Sequence, residues 1–90
     1  MRTIIESNQL ARLLRQLKID YRRFDEAFSD VQRALRSAPE TFPQVPATNL
    51  HRVKLVPFDG VPSLSIFFTY DKDTVTLHFA SIMPDEDEFE

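Results

Sequence analysis

Cysteine is absent from the 90 residues, which removes disulfides, thiol catalysis and cysteine-ligated zinc or iron–sulfur sites. Glycine occurs once, at Gly60, where it marks a turn. No apolar run approaches the roughly eighteen residues of a membrane span. At the N-terminus, Met1-Arg2-Thr3-Ile4-Ile5 breaks into Glu6-Ser7-Asn8-Gln9 before a signal-type apolar stretch can form. These absences predict a soluble, cytoplasmic protein without membrane association, metal or cofactor.

What remains is a core-forming composition with an uneven charge. Apolar residues make up 42% of the chain and phenylalanine occurs eight times, enough for one packed interior in a chain too short for two. The formal net charge is −3, yet five of the fourteen carboxylates lie in the last six residues, Asp85-Glu86-Asp87-Glu88-Phe89-Glu90. The remaining eleven basic and nine acidic side chains give residues 1–84 a slight positive balance above an acidic tail at 85–90.

The hydrophobic period changes along the chain. Residues 2–6 contain two isoleucines in weak alternation and predict a short strand. Ser7 or Asn8 offers a helix cap, and Leu10, Leu13, Leu14 and Leu17 place four leucines on one face of a helix from about 8 to 18. Asp20 is a plausible cap for a second helix ending near Ser37, with Phe24, Phe28, Val31 and Leu35 as its stripe and Arg22, Arg23, Arg33 and Arg36 flanking it. The short connection predicts an antiparallel helix hairpin. Pro39, Pro43 and Pro46 then enforce a loop. Beyond it the period falls to two. Three strands are expected, at 51–56, around 63–70 and around 74–80, with turns at Pro57-Phe58-Asp59-Gly60 and Asp71-Lys72-Asp73.

Paired as a meander, Val53, Leu55, Leu64, Ile66, Phe68, Val75, Leu77 and Phe79 share the face that receives the helices. The opposite face carries Arg52, Lys54, Ser63, Ser65, Phe67, Thr69, Thr74, Thr76 and His78. Two cations, several hydroxyls, one aromatic ring and an imidazole suit a phosphodiester chain. Arg52 and Lys54 would meet phosphates, Phe67 would stack on a base, and His78 would be the group to move a proton. An ordinary solvated sheet face has a similar composition.

The fold class expected is therefore α+β: an N-terminal strand and a two-helix antiparallel hairpin packed on a twisted antiparallel sheet. This order, β-α-α-β-β-β in about ninety residues, resembles the RelE/ParE toxin superfamily over nearly the whole chain. Arg52-Val53-Lys54 is similar to the family's basic pair after the helices. Ser65-Ile66-Phe67-Phe68 resembles its Arg-hydrophobic-hydrophobic-Tyr segment with serine in place of arginine. Asp73-Thr74-Val75-Thr76-Leu77-His78-Phe79 resembles its turn-and-strand signature.

The resemblance implies a single RelE/ParE-like domain at 1–84 and a toxin-like component of a type II toxin–antitoxin system. Such a toxin acts on translation by messenger RNA cleavage, as an endoribonuclease, or on another target by binding. Arg52 and Lys54, with Ser65 and Phe67, then face RNA or the ribosome, and His78 is the candidate general acid or base. Serine at 65 and the acidic run after Ile82 stand where the ribonuclease branch has cations, which lowers the stabilisation available to a phosphorane. The ParE branch, directed at DNA gyrase, needs none of them, and a catalytically inactive protein-binding module on the same fold is the alternative. A cognate antitoxin is the implied protein partner, and Asp85 to Glu90 are candidates to fold back over Arg52 and Lys54.

Overall fold

The computed structural model of the chain describes residues 2–21, 23–55 and 63–83. Ser7 stands at the start of the first helix, α1 (Asn8–Asp20), with extended backbone, and its Oγ accepts the Leu10 N–H at 3.2 Å. One of the amide donors that a helix start leaves over is thereby satisfied. Leu10, Leu14 and Leu17 are buried, with Leu13 packed at their margin. Asp20 was expected to cap the second helix, but it closes the first. The Tyr21 N–H still bonds to the Leu17 carbonyl at 2.9 Å, so the helical ladder runs two residues past Lys18, and Asp20 accepts Gln16 Nε2 within it. The second helix, α2 (Phe24–Ser37), begins at Arg23 without a side-chain cap. Asp25 and Glu26 in its first turn complement the positive end of its dipole. Phe24, Phe28 and Leu35 are its buried stripe, and the Phe24 and Phe28 rings stack at 5.6 Å.

Four strands form one sheet: β1 (Thr3–Glu6), β2 (His51–Leu55), β3 (Ser63–Tyr70) and β4 (Thr74–Met83), in the order β1-β4-β3-β2. The meander β2-β3-β4 is antiparallel, but β1 pairs with β4 in parallel, from Thr3 opposite Thr74 to Glu6 opposite Leu77. The sheet is thus mixed rather than antiparallel throughout. The proline segment supplies the reason. After a 3-10 turn at Pro39–Thr41, the chain passes along the outer edge of β2 in the opposite direction. Gln44 is bridged to His51, and the Pro43 carbonyl accepts the Arg52 N–H at 2.9 Å. That return lets β2 set out in the same direction as β1.

Both helices lie on one face of the sheet. Their leucines and phenylalanines form a single cluster with Val53, Leu55, Leu64, Ile66, Phe68, Val75 and Leu77, each worth about 1.5–3 kcal/mol when removed from water. Phe79 was expected among them and is 46% exposed. The pairing of β3 with β4 slips between Phe67 and Phe68, which face Phe79 and Leu77, so that His78 is an extra residue in β4. Such a bulge inverts the side-chain alternation beyond it. Phe79 consequently joins Phe67 on the open face, and Ala80 packs toward the core.

The expected turn at Pro57–Gly60, Arg22 and the tail at 85–90, with its proposed fold-back, lie outside the described residues. Among the described residues, no helix is long and apolar enough to cross a membrane.

Candidate functional site

The open face is organised around Phe67, in the central strand β3. Its register partners are Arg52 on β2 and Phe79 on β4, which sets a guanidinium, a ring and a second ring in one row across the sheet. The two rings stack at 4.7 Å between centroids with 23° between their planes. Beside this row the proline segment forms a wall. Pro43, Gln44, Val45 and Pro46, with Arg52 and Phe67, line a depression of about 330 Å³.

Backbone contacts hold that wall in place. The Val45 N–H donates to the Leu50 carbonyl at 2.8 Å, Thr48 Oγ1 donates to the Val45 carbonyl at 2.9 Å, and Gln44 Nε2 donates to the Thr48 carbonyl. Ala47 turns the chain with φ at 65°, a left-handed conformation unusual for a residue with a Cβ. From the core side, His51 adds a tie. Its Nδ1 lies 3.0 Å from the Phe42 carbonyl, and its ring sits against Phe68 at 5.6 Å and Tyr70 at 5.1 Å. His51 therefore supports the wall of the depression from behind and does not reach the open face.

The five residues singled out from the sequence do not converge on one point. Arg52 is exposed at the depression and has no carboxylate partner among the described residues. Lys54 is half-buried and lines a separate hollow of about 380 Å³ between α2 and β2, with Arg23, Glu26, Ala27, Asp30, Val31 and Leu55. Ser65 stands between Lys54 and Ser81 in register and is 1% exposed, and its hydroxyl has no hydrogen-bond partner among the described residues. His78 is exposed, with Nε2 2.8 Å from Thr69 Oγ1. It lies on the β4 side of β3 and Arg52 on the β2 side.

Strand alternation was enough to place Arg52 and Phe67 together. It did not reveal Pro43 and Pro46, whose role depends on the return of the chain along β2. It also missed Phe79, although a signal was present. The apolar phase moves from Val75 and Leu77 to Ala80 and Ile82, an odd step that a regular strand does not take.

The chemistry available follows from this placement. Phe67 and two prolines offer flat apolar surface, and Arg52 offers a planar cation that binds phosphate or carboxylate in bidentate fashion. A ring with an attached anion fits that combination. Strand-break chemistry on a phosphodiester needs a base, an acid and cations gathered on one phosphorus. Here the imidazole is engaged with a threonine, and the two cations open into different hollows. Among the described residues, no three His, Asp or Glu side chains converge in a way that would hold a metal ion. No protein-family model matches the sequence, and no curated protein matches it significantly.

Proposed function

We propose that this chain is a RelE/ParE-like, toxin-like member of a type II toxin–antitoxin pair that acts on translation by binding single-stranded RNA on its open sheet face. The observation that carries the reading is the shared depression of Arg52 and Phe67. A base stacks on the Phe67 ring between the proline wall and the sheet while the guanidinium takes the adjoining phosphate. Lys54 and the slightly basic body of the domain add non-specific attraction that weakens with salt. A cognate antitoxin would restrain the protein by covering the same face.

The reading is tested by inducing the protein and measuring growth and translation, together with the affinity of the purified chain for short RNA. Induction is expected to slow both, and Phe67→Ala to weaken RNA binding about 5- to 150-fold, the effect of losing one base stack at roughly 1–3 kcal/mol. Arg52→Ala is expected to weaken binding and flatten its salt dependence. Harmless induction, or RNA affinity indifferent to both substitutions, rejects the proposal.

A second reading, a catalytically inactive protein-binding module on the same fold, is favoured by one observation. Ser65 occupies, as a buried hydroxyl without a partner among the described residues, the place where the resemblance calls for a cation. Under that reading RNA stays intact whether or not His78→Ala is introduced. RNA cleavage by wild type that His78→Ala abolishes excludes it.

A further inference from the structure

The two edges of the sheet are treated differently. The outer side of β2 is covered by the proline segment at its first two residues, His51 and Arg52. On the other side β1 is four residues long and β4 ten, and their pairing ends where Glu6 meets Leu77. Ser7 extends the cover by one step, its N–H donating to the Leu77 carbonyl and its Oγ to the His78 carbonyl at 2.8 Å. From Phe79 to Met83, β4 pairs with β3 on one side and with no described strand on the other.

The His78 carbonyl, which accepts Ser7 Oγ, faces this same side. Because successive residues of a strand turn their N–H and C=O groups to alternate sides, Ala80 and Ile82 face it as well. Free edges are ordinarily guarded by charge, proline or a bulge. Phe79-Ala80-Ser81-Ile82-Met83 contains no charged residue and no proline, and the bulge at His78 lies just before it rather than within it. Along the edge runs a depression of about 300 Å³ lined by Gln9, Leu10, Leu13, Phe79 and Ala80, and Ile82 beside it is 50% exposed.

We infer that this edge is a self-association surface on which two copies pair β4 with β4, antiparallel, about a twofold axis at Ser81. In that register Ala80 of one copy stands opposite Ile82 of the other and exchanges N–H and C=O bonds with it. The isoleucine covers the small alanine and enters the depression beside Leu10 and Leu13, and symmetry forms the contact twice. The large side chain and the small one it needs opposite stand two positions apart on the same strand. A twofold pairing converts that spacing into contact, which favours a second copy over an unrelated extended peptide. The uncharged segment sets no like charges opposite each other.

The test is sedimentation equilibrium of the full chain, whose single-copy mass is 10.5 kDa. Wild type is expected at twice that mass. Ile82→Glu and Ala80→Lys are each expected to weaken the dimer more than about tenfold, because each buries an unpaired charge. The double variant sets opposite charges in register and is expected to recover the dimer, while far-UV circular dichroism shows all forms folded. A wild type that remains single at about 1 mM overturns the inference. So does a dimer indifferent to Ile82→Glu, or a double variant no stronger than the single ones.

Discussion

Ser65 and Asp71 show opposite outcomes for a small polar side chain in a strand protein. The Ser65 hydroxyl is buried without a partner among the described residues, which leaves its desolvation uncompensated. Ser65→Ala is therefore expected to raise unfolding stability by about 1 kcal/mol in urea titration. A loss of stability instead would mean that the hydroxyl is bonded in solution. Asp71 is well served. Its Oδ1 accepts the Asp73 N–H at 2.8 Å, the Thr74 N–H at 2.8 Å and Thr74 Oγ1 at 3.0 Å. The Asp73 amide first, then the Thr74 groups, hold its pKa below the ordinary 3.8. A carboxylate with a depressed folded pKa contributes stability that is fully present above 3.8 and disappears as pH falls through the folded value. Melting temperature measured against pH should show that loss in wild type. Asp71→Asn should melt lower at neutral pH, with the gap to wild type narrowing in acid.

At the scale of elements, Ser7 joins three of them. It ends β1, caps α1 and bonds to the bulge of β4 through the Leu10 amide and the His78 carbonyl. Ser7→Ala should cost about 1–2 kcal/mol by thermal or urea unfolding, at the upper end for a cap because two bonds are lost. Amide exchange at Leu10 should accelerate with it. A neutral substitution would show that water replaces both bonds.

The helices themselves were legible in the sequence, since Leu10, Leu14 and Leu17, then Phe24, Phe28 and Leu35, recur at the period of a helix face. Their junction was not. An aspartate at 20 has the chemistry of a cap, but continuation of the helix by one further backbone bond outweighs a side-chain preference. The strands were legible by alternation as far as Leu77. The bulge at His78 broke that rule and carried Phe79 from the core to the site.

At the scale of the whole molecule, one core sits between the helix pair and the sheet, and Phe68 is completely buried within it. Its ring meets Phe42 edge-on at 6.0 Å and His51 at 5.6 Å, so it packs the core and also supports the wall of the open-face depression. Phe68→Ala should cost about 3–5 kcal/mol, a large part of the roughly 5–15 kcal/mol that holds a domain together. Equilibrium unfolding would measure it. The softer Phe68→Leu should keep the fold while loosening the proline segment, read as weaker RNA binding with Arg52 and Phe67 intact.

The sequence by itself determined the α+β class, the helix faces, the antiparallel meander and the presence of Arg52 and Phe67 on one face. The helix faces follow from residue spacing along a single element, and the meander with its shared face from short connections between strands that follow one another in the chain. Only the tertiary structure decided that β1 runs parallel to β4, that Lys54 and Arg52 open into different hollows, that Pro43 and Pro46 wall the depression, and that the far half of β4 pairs with one strand only among the described residues. Those outcomes depend on how elements distant in the chain meet, and the local period of a sequence carries no record of that meeting.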